Sequence, residues 1–397
     1  MSPPLGLQDC PTELIHEIAK HSTRADLLSL AYVGDKDIYK ICIPYQYETA
    51  NIHSLAGFFQ FCETVAMESN ARLAACVRAV RFDTHKADAP SNLSTGESNA
   101  GLAGLSTDQA QACATGIANL HSLRSLELLH PLVCYIIPRI HNVVFSLLHT
   151  FAAPFSLHLD QFLRSNSQIQ HLNIPSTGAL QRTAQIPSGS IRLPHLRTFV
   201  GPEVLARAVM PHSRVTEPAV IWDPKPPAGR IRETLSCLVQ STAGIKGLRT
   251  HTYGWPEALL ALIIEHFGTN LRVLEFRNYR KTPSRRSPRA FFATLVDNIH
   301  RFPELTTLLV HNAPHITAHN LNSIDKEAFE AEWNSIQTYY RLCPRLDDIT
   351  LLSGVQWQRV AGERWIPVDG QALKKSKEFD DWFKGKFPCA NIDEYRF

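Results

Sequence analysis

The hydrophobic positions at the start of the chain recur at helical spacing. Leu14, Ile15 and Ile18 lie on one face of a helix because they are one and four residues apart. Pro11 suits the first position of this helix, where its missing N–H would have no intrahelical partner. Since a short helix cannot bury such a stripe unaided, the pattern predicts a module of packed helices.

A second and a third helix follow in the same segment. Thr23 stands three residues before Asp26 in a capping-box arrangement, which predicts a helix start. The apolar face of this second helix consists of Leu27, Leu28, Leu30 and Ala31. A third helix is expected over Ile38–Ile43, and Pro44 should end it because proline cannot donate the next backbone hydrogen bond.

This arrangement of proline, Leu-Ile and Asp-Leu-Leu resembles the F-box family over residues 7–50. Two positions depart from the family pattern: Cys10 replaces the usual leucine, and the run Gly34–Asp37 is one residue longer. The resemblance implies that the module docks on the Skp adaptor of a cullin-based ubiquitin ligase. The residues expected to bind the adaptor are Pro11, Leu14, Ile15, Ile18, Leu27, Leu28 and Leu30. The alternative is that residues 11–43 are amphipathic core helices of a larger domain.

Beyond residue 50, a short strand pattern recurs in which an apolar anchor is followed by alternation of apolar and polar residues. The pattern begins at Val77, Leu123, Ile169, Leu196, Leu248, Leu271, Leu305 and Leu346, at intervals of 23 to 52 residues. These intervals are close to one or two units of a leucine-rich repeat of about 20–29 residues. Helical stretches are expected between strands, at Ser106–His121, Phe155–Ser165 and Pro256–Phe267.

The predicted fold class is therefore α/β, with F-box helices followed by an irregular leucine-rich-repeat solenoid. In such a solenoid the strands line a concave wall that commonly binds a partner. A hairpin with a tryptophan on each arm is expected over residues 354–368, and a short helix over Lys374–Lys386. Together they would cap the open end, which gives three parts: residues 1–50, 51–354 and 355–397. The asparagine ladder of regular repeats is mostly absent, so an irregular α/β domain is the alternative.

The strand patterns also suggest residues for the concave wall. Arginine follows the leucine that opens four of the predicted strands, at Arg124, Arg197, Arg249 and Arg272. The whole plan of F-box, irregular leucine-rich strands and terminal tryptophan hairpin resembles the fungal family of F-box-like proteins. This resemblance implies that an unknown target protein binds the wall.

Length and composition fit an ordinary globular protein. The chain has 397 residues, of which 44% are hydrophobic and 19% are charged, which suffices for two or three domains. Its net charge of +3 neither predicts nor excludes a nucleic-acid partner, and we expect none. Nine cysteines without a Cys-x-x-Cys pair fit reduced thiols of an intracellular protein. The expected location is the cytoplasm, the nucleus or both.

Neither a targeting segment nor a membrane span is predicted. Met1–Asp9 has no basic start and no apolar run. The apolar stretch Leu132–Phe155 is interrupted by Pro138 and Arg139, so it predicts a core helix and no contact with a membrane.

Three segments should form loops or extended chain. Thr84–Gly104 is rich in small polar residues, and Pro211–Arg230 contains five prolines. Arg277–Arg289 carries a cluster of basic residues around Thr282-Pro283 and Ser287-Pro288, which favours a solvated loop. This loop is also a candidate for binding an acidic partner, for nuclear import or for control by phosphorylation.

The chain shows no catalytic, cofactor-binding or metal-binding motif that satisfies its spacing requirement. His16 and His21 are five residues apart, whereas a zinc-protease helix needs a separation of four. His311, His315 and His319 have that separation, but Pro314 interrupts any helix there. We therefore expect neither an enzyme nor a cofactor.

The function predicted from the sequence is the substrate-recognition subunit of a Skp/cullin/F-box ubiquitin ligase. The alternative is a leucine-rich-repeat scaffold or interaction protein that works outside any ubiquitin ligase. A further alternative is nucleic-acid binding through residues 280–289, which would weaken steeply with salt.

Overall fold

A computed structural model describes most of the chain. The described residues are 10–32, 36–83, 106–175, 186–279, 289–312, 326–352, 355–360, 364–367 and Gly385. They form a mixed α/β protein that divides into two compact units. Unit 1 comprises Met1–Thr183 with Leu193–Leu196, and unit 2 comprises Ala184–Arg192 with Arg197–Phe397. The division at residues 50 and 354 remains a prediction.

Unit 1 opens with three short helices, which we name the helical module. They are α1 (Thr12–His21), α2 (Arg24–Tyr32) and α3 (Lys36–Tyr47). Their own small core consists of Ile15, Ala19, Leu27, Ile38 and Cys42. The predicted capping box of α2 is confirmed, because Asp26 N donates to Thr23 Oγ1 at 3.3 Å and Thr23 N donates to Asp26 Oδ2 at 3.2 Å.

The predicted end of the third helix at Pro44 is wrong, because α3 continues through Pro44 to Tyr47. Inside a helix, proline removes one backbone hydrogen bond and its ring crowds the carbonyl four residues earlier, so other contacts must hold the helix together there. Tyr45 packs against the core of the helical module, and its hydroxyl lies 3.2 Å from His16 Nδ1. Tertiary contacts therefore override the local stop signal.

After the helical module, unit 1 alternates short strands with helices. The strands are β1 (Thr49–Ile52), β2 (Ala79–Phe82), β3 (Ser125–Leu128), β4 (Thr150–Ala152) and β5 (His171–Asn173). The helices are α4 (Leu55–Ala66), α5 (Ala71–Cys76), α6 (Thr107–Ala118), α7 (Ile137–Ile140) and α8 (Leu159–Ser165). Each strand pairs in parallel with the next one along the chain. Neighbouring helices also pack on one another, from α4 on α6 to α7 on α8.

Unit 2 repeats this plan. Its strands are β6 (Thr198–Pro202), β7 (Ala219–Ile221), β8 (Gly247–Thr252), β9 (Val273–Asn278), β10 (Thr307–Asn312), β11 (Asp348–Thr350), β12 (Gln356–Val360) and β13 (Arg364–Pro367). Its helices are α9 (Glu203–Val209), α10 (Ala228–Val239), α11 (Glu257–Phe267), α12 (Arg289–Asn298) and α13 (Lys326–Leu342). Strands β6 to β11 are parallel in chain order.

The predicted tryptophan hairpin forms the last two strands of this sheet. β12 pairs antiparallel with β11, and β13 pairs antiparallel with β12. Trp357 and Trp365 lie on its two arms and are both buried. The helix predicted over Lys374–Lys386 lies outside the described residues, apart from Gly385. The loop predicted over Thr84–Gly104 lies wholly outside them.

Each of the eight strand patterns found in the sequence coincides with a strand of the structure. Strands β1, β4 and β7 were not predicted. β4 lies within Leu132–Phe155, so the core helix predicted there is wrong. Prolines divide that stretch, since Pro131 and Pro138 each stand at the start of a separate short helical turn.

A small buried or half-buried polar side chain follows four of the helices by one or two residues. Asn119, Asn166, Ser241 and Cys343 follow α6, α8, α10 and α13 in turn. Each donates to a backbone carbonyl of an earlier segment: Asn119 to Val65 (3.2 Å), Asn166 to Val143 (3.0 Å), Ser241 to Val215 (2.7 Å) and Cys343 to Phe302 (3.2 Å). These bonds tie one strand-and-helix segment to the one before it.

Candidate interaction surfaces

The helical module keeps apolar side chains at its surface after its core is filled. The exposed fractions are 50% for Leu14, 40% for Ile18, 38% for Leu28, 84% for Tyr32 and 51% for Tyr39. Leu14 and Ile18 are four residues apart on α1, and Leu28 and Tyr32 are four residues apart on α2, so each pair forms a row along its helix. We name these five residues the apolar surface of the module.

The seven residues predicted to bind the adaptor fall into different environments. Ile15 and Leu27 are 5% and 4% exposed and belong to the core of the module. Leu30 is partly buried and packs against that core. The remaining four, Pro11, Leu14, Ile18 and Leu28, are exposed. Of the predicted set, these four are therefore the ones that a partner can reach without unfolding the module.

The four arginines predicted for the wall do not occupy equivalent positions. Arg124, Arg197 and Arg272 are exposed, and each stands immediately before a strand, namely β3, β6 and β9. Arg249 alone lies within a strand, as the third residue of β8. The structure places Arg249 in a group of ionisable side chains on β8, β9 and β10, which we name the charged cluster.

The charged cluster consists of Arg249, His251, Glu275, Arg277 and His311. Strand register brings them together, because Arg249 pairs with Glu275 while His251, Arg277 and His311 occupy one row across the three strands. Side chains two residues apart on a strand point to the same face. The alternate positions Leu248, Leu274 and Leu308 are fully buried on the opposite face.

Glu275 is the centre of the charged cluster. Its side chain is only 2% exposed, and its Oε1 atom accepts from Arg277 Nη2 at 2.7 Å and lies 3.2 Å from His311 Nε2. Arg249 Nε lies 3.7 Å from Oε2. Burial by itself raises the pKa of Glu275, but the hydrogen bond with His311 and the charges of the two arginines lower it to about 2. Glu275 therefore carries a negative charge that its neighbours compensate.

Of these five residues, Arg249 was predicted from the sequence for the wall, while His311 was noted only for its spacing from other histidines and Arg277 only as the start of a basic segment; His251 and Glu275 were not identified. The available signal was an ionisable residue at alternate strand positions, as in Arg249-Thr-His251 and Glu275-Phe-Arg277. Alternation of this kind was interpreted only as the mark of a strand. The sequence does not show which residues are paired across strands, so the buried carboxylate could not be distinguished from an exposed one.

His251 gives the charged cluster a dependence on pH. Its burial, and then the charge of Arg277, lower its pKa from 6.5 to about 4, and its ring lies 5.3 Å from that of Tyr279. The folded protein therefore takes up this proton less readily than the unfolded chain, and stability is lost as the pH falls from about 6.5 to about 4. From pH 7 to pH 5 we expect His251 to reduce the free energy of unfolding by about 2 kcal/mol.

Urea unfolding at the two pH values checks this expectation. His251→Gln should lose distinctly less stability than the wild type over the same interval, whereas His121→Gln, at an exposed position, should behave as the wild type does. Equal losses for wild type and His251→Gln would contradict the expectation.

The described part of the chain shows neither a metal centre nor a membrane span. Within it, no group of three or more His, Cys, Asp or Glu side chains could hold a metal ion. None of its helices combines the length and the apolar character needed to cross a bilayer. His315, His319 and the basic residues 280–288 lie outside the described residues.

Comparison with known proteins gives no assignment: no protein-family model matches the chain, and no curated protein is significantly similar to it.

Proposed function

We propose that the chain is a substrate receptor of a Skp/cullin/F-box ubiquitin ligase. In this proposal the helical module binds the Skp adaptor, and a leucine-rich-repeat solenoid binds the protein to be ubiquitinated. The chemistry of ubiquitin transfer would belong to other subunits.

The observation that carries the proposal is the apolar surface of the helical module. The module satisfies its own core with Ile15, Ala19, Leu27, Ile38 and Cys42, and yet it leaves Leu14, Ile18 and Leu28 in water. Exposed leucine and isoleucine rows on a small helical module are typical of a protein-protein interface. The resemblance of residues 7–50 to the F-box family supports the Skp adaptor as the partner.

The parallel strands support the second half of the proposal. Within each unit, the parallel strands follow one another in chain order and successive helices pack side by side. The polar residues after the helices repeat the same link between segments. This is the nearest-neighbour packing expected of a repeat protein whose strands present a binding surface.

A pull-down of the full chain with the Skp adaptor of a fungus tests the proposal. We expect the wild type to capture the adaptor, and Leu14→Asp/Ile18→Asp/Leu28→Asp to weaken capture at least about tenfold, because buried apolar anchors dominate such interfaces. Ile15 and Leu27 are left unchanged, since charges there would disrupt the module core. Both proteins should show the same circular dichroism spectrum.

Val144→Asp is the matched control. Val144 is 67% exposed in unit 1 and lies outside the helical module, so this change also places a charge at an exposed apolar position. It should leave adaptor capture unchanged. Failure of the folded wild type to bind the adaptor, or full binding by the triple variant, would reject the receptor proposal and leave a scaffold outside the ligase.

A further inference from the structure

The charged cluster has ionisable side chains at positions where the fold does not require them. The row that contains Arg249 and Glu275 continues with Ala219 on β7 and Leu309 on β10, so apolar residues fit this face of the sheet. A carboxylate removed from water costs several kcal/mol unless it is paired and hydrogen-bonded. Packing alone therefore does not account for Glu275 and the cations around it.

The cluster presents guanidinium groups and conceals its central carboxylate. Glu275 is 2% exposed, whereas the side chains of Arg249 and Arg277 are 48% and 31% exposed. A partner that approaches this face meets hydrogen-bond donors first. Because Glu275 contacts both arginines, it holds them in one orientation before any partner arrives.

Glu217 already occupies the kind of position that an incoming carboxylate would take. Its Oε2 atom lies 3.4 Å from Arg249 Nη2, and its side chain is 45% exposed. Gly247 leaves room for it, since a Cβ atom there would lie 2.8 Å from Glu217 Cγ. An exposed ion pair contributes only about 0–1 kcal/mol, so another carboxylate can displace Glu217.

We propose that the charged cluster binds a carboxylate in an acidic segment of the target protein. Arg249 and Arg277 donate the hydrogen bonds, Glu275 is the positioning residue, and Glu217 competes within the chain. A carboxylate fits better than a phosphate dianion because displacement of Glu217 leaves two arginines beside Glu275, and a single carboxylate balances the one excess positive charge. The inference rests on the proposed function only in naming the partner as a ligase target.

Fluorescence anisotropy of the full chain with a labelled peptide of six glutamates tests this inference, with a peptide of six glutamines as the control probe. We expect Arg249→Gln and Arg277→Gln each to weaken binding about fivefold or more, because charge-assisted bonds to carboxylate are lost. Glu217→Gln should tighten binding about twofold, since a weak competitor is removed. Equal binding of both peptides by the wild type, or binding of neither, would overturn the inference.

Glu275→Gln is the decisive variant. It removes one negative charge, as Glu217→Gln does, so general attraction between charges predicts tighter binding in both. If Glu275 positions the arginines, Glu275→Gln should instead weaken binding about threefold or more. Tighter binding by folded Glu275→Gln would overturn the role of Glu275.

Arg277→Lys provides a second test if Glu275→Gln does not fold. This variant keeps the positive charge but loses the planar pair of hydrogen-bond donors. We expect it to weaken peptide binding, and unchanged affinity would count against the proposed geometry.

All of these variants should capture the Skp adaptor as the wild type does. If the wild type binds the glutamate peptide but not the adaptor, the receptor proposal fails while the carboxylate site stands.

Discussion

Gly116→Ala is expected to lower the free energy of unfolding of unit 1 by about 3 kcal/mol, near the upper range for overpacking in a core. A Cβ atom at this position would lie 2.4 Å from Cys62 O and 2.9 Å from Cys62 C and Cα. These are backbone atoms of α4, so no side-chain rotation relieves the clash. Helices α4 and α6 would have to move apart.

The rest of this interface explains why such a shift is costly. Cys113 precedes Gly116 by three residues on α6 and faces the same side. Cys62 and Cys113 are fully buried, as is Phe58 one turn earlier on α4. A hydrogen bond with Cys113, together with burial, raises the pKa of the Cys62 thiol. Separation of the helices would therefore open a tightly packed contact along its length.

Gly229→Ala is the matched control for this prediction. Gly229 also lies in a helix, α10, but a Cβ atom there has no neighbour within 4 Å. Alanine favours the helix over glycine, so this variant should be unchanged or more stable by up to about 1 kcal/mol. Urea unfolding followed by circular dichroism compares the two, and a Gly116→Ala variant as stable as wild type would refute the close helix contact.

The strands illustrate what the sequence could predict. Patterns that open with an apolar anchor and then alternate, such as Leu271–Phe276, were recognised because one face of the strand is buried and the other is polar. All three residues of β7 (Ala219–Ile221) are buried, so no alternation marks them. β4 has only three residues and lies in a continuous apolar run, where strand and helix cannot be told apart.

The helical module shows a different limit. Local signals correctly predicted that three helices are present and that Thr23 and Asp26 form a cap, because those signals act over three or four residues, but they placed the end of the third helix wrongly. They could not divide Leu14, Ile15 and Ile18 between core and surface, since all three fit one helical stripe. Contact of α1 with α3 makes that division and buries Ile15. The candidate surface is thus defined by tertiary packing, and the charged cluster by strand register.

Asn166→Ala is expected to destabilise unit 1 by about 3 kcal/mol, because several buried polar groups would lose their partners at once. Asn166 is 2% exposed. Its Oδ1 atom accepts from Phe145 N at 2.7 Å, and its Nδ2 atom donates to Val143 O at 3.0 Å and Phe162 O at 2.9 Å. Alanine supplies none of these bonds, so the three backbone groups lose this partner.

Asn119→Ala separates this effect from a general effect of losing asparagine. Asn119 follows α6 as Asn166 follows α8, but its side chain donates one half-buried bond, to Val65 O at 3.2 Å. We expect this variant to lose only about 1 kcal/mol, the net value of a single hydrogen bond. If both variants lose the same amount in urea unfolding, the three bonds of Asn166 are not what holds residues 143–145 against α8. A larger loss for Asn166→Ala than for Asn119→Ala would show that the number of bonds made by the asparagine after a helix sets how strongly it stabilises the link between successive segments.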